Sequence, residues 1–573
     1  MLLIFGFIAL TIVVLSGFGA ALSSGRQTSD RSFFDLAILG LLLVSAIGLL
    51  ANFFVPLSLY LVIATAVVGI SCFALHSKLL WASLGRHPVA MLAVLAALLA
   101  MDSIGVLVTP LSYDTGLYHL QLIEWLEQAP KVFGLVNLHY RFGVNSIWFV
   151  DASMADVIRD SHAGIFLLNT SLFTIVIGAL IQPVLSRATE GLPRVSDLYA
   201  VIVAAALLAN AITIMFNQLF ASPGNDLPGA LLLVYAFWAF LRIFEGDGDK
   251  EAWLLQLLVA GALAVMTKVA TAPVLLLLPV AAYVVIARDR RGVWDLARSP
   301  ILLCLVTVGA AWMVTGLISS GCIAFPAGST CLAALPWTPP LQDIADFATL
   351  VTAWARLPNA HVWEAAHGWA WLKDWPGVML ARRIFIPGMS WSLALAASIG
   401  LALALAERFA LKTRRPVRSF GPGPFVIGYA IVIACLGNLF WFLAAPDPRF
   451  GIGFLLALPA LAIAAGMRAL ATDGAIIRLV VDRIVLMGYI FVCIGLFLLH
   501  HRTTAFKAAE SWPPIPDVPV YQQDFGPKLR VNIPVDGNQC WDAPRPCAPG
   551  RGPDAPSLSH RKLLLWEIVE PIP

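Results

Sequence analysis

Apolar runs of roughly twenty residues, separated by short polar stretches, recur along most of the chain. Each run is continuous. A bilayer-crossing helix needs about 20 such residues, whereas a membrane-barrel strand would alternate apolar and polar positions. The pattern predicts an all-α polytopic membrane protein. Its spans fall near 2–22, 33–51, 56–75, 89–108, 163–183, 198–217, 227–243, 252–267, 270–287, 301–318, 389–407, 424–444, 452–468 and 484–500. That is about 14 helices, with the 252–287 pair open to a re-entrant reading.

Composition sharpens this picture. The 573 residues are 59% hydrophobic and 12% charged, with a mean hydropathy of +0.83. The charged share is about half that of a soluble domain. The formal charge of +3 is too small and too dispersed for a nucleic-acid partner. No Walker or dinucleotide-binding glycine pattern is present, so ATP-driven transport has no support.

Charge placement predicts an orientation. The first segment has no basic residues before it, and Arg26 and Arg31 follow it, as in a retained anchor with its N-terminus outside. With that start, the seven inner loops hold 20 Lys and Arg, including Arg288, Arg290, Arg291 and Arg298 and the cluster from Arg408 to Arg418. The short outer loops hold Lys268 and Arg449 alone. This is the positive-inside asymmetry. Four cysteines lie in spans, and the other four form two close pairs on the outer side, Cys322/Cys331 and Cys540/Cys547. Two disulfides in an oxidising compartment are expected. The expected location is a bacterial cytoplasmic membrane, with both termini periplasmic.

Three regions follow: extra N-terminal helices over 1–88, a core over 89–500 with large outer loops at 109–162 and 319–388, and a periplasmic Pro/Gly-rich tail over 501–573. The tail reads as a loop-rich cap with a strand at "KLLLWEIVE".

Candidate chemistry concentrates on the outer side. The stretch "SYDTGLYHLQLIEWLEQ" places Asp114, Tyr118 and His119 directly after a span. Asp114 with Thr115 can cap a helix to about Gln128. Projected at 100° per residue, Tyr118, Leu122, Ile123, Trp125 and Leu126 form its apolar face, and Gln121, Glu124, Glu127 and Gln128 its polar one. Such a helix lies flat at the interface. Beyond it, "GLVNLHYRFGVNSIWFVD" gathers His139, Arg141 and Asn145. Asp226 sits at the outer mouth of a span, Lys268 between two spans, and Asp447 and Arg449 in a very short outer loop. Ionisable residues at membrane depth are costly and usually functional. Two cations at one level suit a lipid phosphate or pyrophosphate.

These residues, in this order, resemble the GT-C superfamily of integral-membrane glycosyltransferases. The segments "YDTGLYHLQLIEWL", "SSGCIAFP" and "APDPRFG" are also similar to a group of uncharacterised bacterial membrane proteins near that superfamily. The resemblance covers roughly residues 95–470. It implies a GT-C-like core in which Asp114 is the catalytic base. Lys268 and Arg449 would hold the donor phosphate, and Tyr118, His119, His139 and Arg141 would line the pocket. It implies a polyprenyl-phosphate-linked sugar as donor, in contact with membrane lipid, and an extracytoplasmic glycan, lipid or protein acceptor.

The sequence departs from the superfamily pattern in two respects. The key loop follows the fourth span rather than the first. The adjacent acidic pair of many members is missing, leaving Asp102, Glu124 and Asp151 as alternatives for a second acid. A divalent metal cofactor is therefore open, with His119 and His139 as candidate ligands.

Three other readings compete. A polymerase or ligase of lipid-linked glycans needs the same cations but a pyrophosphate donor. A transporter or flippase predicts charges at mid-span. A non-catalytic membrane subunit keeps the fold without turnover.

Overall fold

The structure, a computed structural model, describes residues 2–23, 31–108, 111–159, 161–186, 194–211, 218–245, 249–288, 294, 296–358, 360–381, 423–470, 482–508, 512–513, 515–550 and 556–572. Among these residues, eleven helices are long and apolar enough to cross a membrane. A further pair, Leu59–Leu75 and Ser77–Ser83, bends by 74° and makes a twelfth if counted as one broken span. The chain is a multi-pass, mainly helical membrane protein.

Several expected spans differ in detail. The segment at 389–407 lies outside the described residues. Of the one at 198–217, the described part is the helix Val195–Asn210, and residues 212–217 lie outside the described residues. The 252–287 pair forms two successive span-length segments, Lys250–Thr267 and Val269–Ala287, broken at Lys268. The second begins as a 3-10 helix over Val269–Leu277 that contains Pro273. The ring of Pro273 would clash with the carbonyl four residues earlier in a regular α-helix, which disfavours that helix here.

Packing within the bundle relies on close backbone approach. A Cβ on Gly19 would fall 1.7 Å from the Leu36 carbonyl oxygen, and one on Gly40 would fall 1.7 Å from that of Leu15. The first two helices, Leu2–Ser23 and Phe33–Ala51, therefore meet through reciprocal glycines, the small-residue contact that lets apolar helices associate in lipid. The helix Asp226–Ile243 is buried almost all round. It is apolar on every face because every face meets another helix.

The tail is more ordered than its composition suggests. It forms two antiparallel hairpins: β1 (Val520–Gly526) with β2 (Leu529–Pro534), and β3 (Leu558–Leu563) with β4 (Trp566–Pro571). The single strand expected at "KLLLWEIVE" is instead the turn and flanks of the second hairpin, where Leu563 pairs with Trp566. Both expected disulfides are present, Cys322–Cys331 and Cys540–Cys547.

This cap sits on the juxtamembrane helix. The Trp541 N–H donates to the Gly116 carbonyl at 2.9 Å, and a Cβ on Gly116 would lie 2.3 Å from the Trp541 ring. The Gln121 side chain donates to the Ala543 carbonyl at 2.7 Å and accepts from the Cys547 N–H at 3.3 Å. The Arg545 guanidinium stacks 4.4 Å above the Trp125 ring centre. The helix expected to lie half in water is thus covered on both faces, and Gln121, Glu124 and Glu127 are buried. Its polar face is a docking surface for the cap.

Candidate functional site

The stretch after the fourth span-like segment, Pro88–Val108, does not begin as a capped α-helix. Asp114 has helical dihedrals, and its side chain makes no capping hydrogen bond. Residues Thr115–His119 form one π-turn, and the α-helix proper runs Leu120–Gln128. A π-turn widens the spiral and changes the facing of successive side chains. It leaves Asp114, Tyr118 and His119 on one cavity. The expectation that Asp114 is a cap is corrected accordingly: its carboxylate pairs with a side chain from another helix.

That partner is Arg449. Asp447 accepts the Arg449 backbone N–H at 3.0 Å, and Pro448 follows it as the first residue of the helix Pro448–Leu470. The Asp-Pro pair starts the helix by chemistry suited to that position. Arg449, one residue further, reaches across to Asp114, with Nη1 donating to Oδ2 at 2.9 Å. The same guanidinium has its Nε 3.8 Å from Asp226 Oδ2.

Asp226 opens its own helix, where a carboxylate favours the positive end of the helix dipole. It is in direct contact with the Lys268 ammonium. Lys268 stands where the helix Lys250–Thr267 ends in extended backbone. The neighbouring Thr267 carbonyl is met by Ser146 Oγ at 2.7 Å and Asn225 Nδ2 at 2.9 Å. Two loops thus hold the break that presents Lys268.

These four charges form a chain, Asp114–Arg449–Asp226–Lys268, along a cavity of about 270 Å3. Tyr118, His119, Arg141 and Asn145 also line it. The Arg141 guanidinium lies over the Tyr118 ring at 5.5 Å. Asn145 is engaged in a reciprocal clamp: its amide donates to the Trp312 carbonyl at 2.8 Å, and the Trp312 indole donates to the Asn145 carbonyl at 3.1 Å. The rest of the wall is apolar and aromatic, including Phe325, Phe347, Phe440 and Phe450. Phe450 lies under both cations, 4.0 Å from Lys268 and 4.9 Å from Arg449, and Trp354 adds a second ring 4.8 Å from Arg449.

The titration behaviour follows from burial and charge. Burial alone would raise the Asp114 carboxyl, but Arg449, with Arg141 behind it, outweighs burial and holds the group below the usual carboxylate range. Burial, with Arg449 and Arg141 adding to it, lowers His119 to about 3 against the opposing pull of Asp114, so the imidazole is neutral. Its Nδ1 is buried and has no hydrogen-bond partner.

Two of the expected pocket residues stand elsewhere. Asp447 is fully buried as the helix-starting group just described. His139 faces a second, smaller cavity of about 160 Å3 shared with Tyr140, Asp343 and the cap. His119 and His139 therefore do not converge as ligands for one ion.

None of the three alternatives for a second acid lines the main cavity. Asp102 accepts from the Thr174 hydroxyl, and Asp151 from Ser45 Oγ at 2.8 Å. Glu124 lies under the cap, beside Asp542. The second acid in the cavity is Asp226. Sequence reading placed it there but missed its contact with Lys268, and it missed Trp354 and Phe450 altogether. Aromatic residues spread among so many others give no distinguishing sequence signal.

Comparison with curated proteins finds no match. A family described as a domain of unknown function, DUF8201, matches residues 1–456, a stretch that holds every member of the charge chain. The chain belongs to the DUF8201 family.

Proposed function

We propose that the protein is a membrane glycosyltransferase with a GT-C-like core. It moves a sugar from a polyprenyl-phosphate donor to an acceptor outside a bacterial cytoplasmic membrane. The observation that carries this reading is the gathering of Asp114, Arg449, Asp226 and Lys268 on one cavity with an otherwise apolar, aromatic wall. Phe440 in that wall belongs to the helix Pro424–Ala444, whose Leu439, Phe440 and Leu443 are exposed to the surroundings of the bundle. A lipid chain suits such a flank, and its phosphate suits the two cations. Both disulfides support an oxidising compartment on the cavity side, with the cap periplasmic.

In this reading the ion pairs are the resting state. A donor phosphate beside Lys268 and Arg449 competes with Asp114 for the guanidinium. Released from it, the buried carboxylate becomes more basic, because desolvation then acts with less opposition. The acceptor hydroxyl gives its proton to Asp114 as its oxygen attacks the anomeric carbon. The bond from that carbon to the phosphate oxygen breaks, and the electron pair leaves with the phosphate. Lys268 and Arg449 stabilise the charge that builds there. Attack opposite the leaving group inverts the sugar. His119 Nδ1, neutral and unpartnered, is positioned to bind a sugar hydroxyl.

The test is reconstitution of the full chain in proteoliposomes with radiolabelled polyprenyl-phosphate sugars and candidate acceptors. The expected result is labelled acceptor and free polyprenyl phosphate in equal amounts. A protein that neither binds nor consumes any such donor contradicts the reading.

A further inference from the structure

A second cluster of ionisable groups lies outside the cavity, where the juxtamembrane helix, the turn after helix Ile147–Ala155 and the cap meet. At its centre is His162, which is buried, and both its ring nitrogens face carboxylates. Nδ1 is 2.7 Å from Asp156 Oδ2, and Nε2 is 3.1 Å from Asp542 Oδ1, in the loop closed by Cys540–Cys547. Glu127, Asp156 and His162 each offer a ligand atom within 4.8 Å of the other two, and all three are buried.

A neutral imidazole donates one proton. With Nε2–H directed to Asp542, the Nδ1 lone pair points at an anionic oxygen, a repulsive contact unless something positive lies between them. A second proton on the ring would satisfy Asp156 Oδ2. It would still leave Glu127 Oε1 and Asp156 Oδ1, both buried and both without a hydrogen bond of normal geometry. Arg159 pairs with Glu127 through the other oxygen, Oε2, so it does not satisfy Oε1. Buried carboxylate oxygens without partners are costly. A doubly charged ion among these oxygens satisfies them together.

We propose that Glu127, Asp156 and His162 Nδ1 bind one divalent cation of the zinc type. Mixed imidazole and carboxylate ligands suit zinc and its neighbours rather than calcium or magnesium. Asp542 completes the arrangement from the far side of the ring: a carboxylate accepting the other N–H of a metal-bound histidine fixes its tautomer and orientation. The ion thereby ties the cap to the helix that begins beside Asp114. The role is structural, because none of these residues lines the main cavity.

The test uses the full chain purified in detergent. Metal content is measured after chelation, re-addition of Zn2+, Mn2+ or Ca2+, and removal of excess ion. The wild type is expected to retain about one Zn2+ or Mn2+ per chain, with little Ca2+, and its melting temperature should rise on re-addition. Glu127→Gln and Asp156→Asn, near-isosteric changes, should reduce retention at least tenfold. Asp542→Asn should keep the site with affinity about 10- to 100-fold weaker. His162→Ala should abolish retention. Should that variant fail to fold, Glu127→Gln and Asp156→Asn decide alone. Wild type retaining no more ion than Glu127→Gln overturns the proposal. So does a melting temperature indifferent to metal, the outcome for a cluster held by a protonated histidine alone.

Discussion

Arg449 stands between two carboxylates, with Nη1 2.9 Å from Asp114 Oδ2 and Nε 3.8 Å from Asp226 Oδ2. Asp114 comes from the juxtamembrane stretch and Asp226 from the mouth of a buried helix, so one guanidinium joins the two walls of the cavity. Removing it leaves two acids facing each other with Lys268 as the nearest remaining cation in contact. Arg449→Ala is expected to destabilise the protein by about 3–5 kcal/mol, the range for breaking a largely buried pair on one side. Arg449→Lys should recover part of this, because a single ammonium cannot span both acids as a fork does. Thermal unfolding in detergent reads the order wild type, Lys, Ala.

The same pair sets a dependence on pH. The native Asp114 carboxyl lies below its ordinary value. The stability it contributes is therefore complete above the unfolded value of about 3.9 and is lost as pH falls through the native one. Wild-type stability should owe nothing to this group's titration between pH 8 and 5. In Arg449→Ala, burial acts without its main opponent and raises the carboxyl, so that variant should gain stability relative to wild type as pH falls from 8 to 5. Parallel melting curves for the two proteins over that range would refute the assignment.

Lys268 and Asp226 form the other end of the charge chain. Lys268→Ala and Asp226→Asn each strand a charge, whereas the double variant strands neither. The double variant should be more stable than the sum of the single effects by about 0.5–3 kcal/mol, the coupling typical of groups in contact. Strict additivity would mean that the contact carries no energy.

The cap is held where a side chain has no room. Gly116→Ala puts a Cβ 2.3 Å from the Trp541 ring. Overpacking of this kind is expected to cost about 1–3 kcal/mol. Limited proteolysis should then release the segment 515–572 faster than in wild type, while the helical bundle stays intact. Equal release rates would show that the cap is anchored elsewhere.

Much of this was readable before any coordinates. The helical class, most span positions and both cysteine pairs follow from continuous apolar runs and from where polar residues interrupt them. So does the choice of Asp114, Asp226, Lys268 and Arg449, because charges are scarce in such a chain and each has to be accounted for. What was not legible depends on contacts distant in sequence. Gln121, Glu124 and Glu127 have the spacing of a water-facing stripe, and only the folded cap reveals them as buried. The π-turn at Thr115–His119 defeats a projection that assumes 100° per residue. Asp447 has the same composition signal as Asp226, yet one starts a helix from within the packing and the other faces the cavity. His162 lies in a short loop with no recognisable ligand spacing, because its partners come from three separate parts of the chain.

The most direct measurement compares Asp114→Asn with wild type for donor binding and for sugar transfer in the same proteoliposomes. The amide keeps the shape of the carboxylate but cannot accept a proton as a base, and it no longer draws Arg449 away from the phosphate. The expected result is donor affinity equal to or tighter than wild type, with transfer reduced by at least about a hundredfold. Transfer at the wild-type rate would contradict the account.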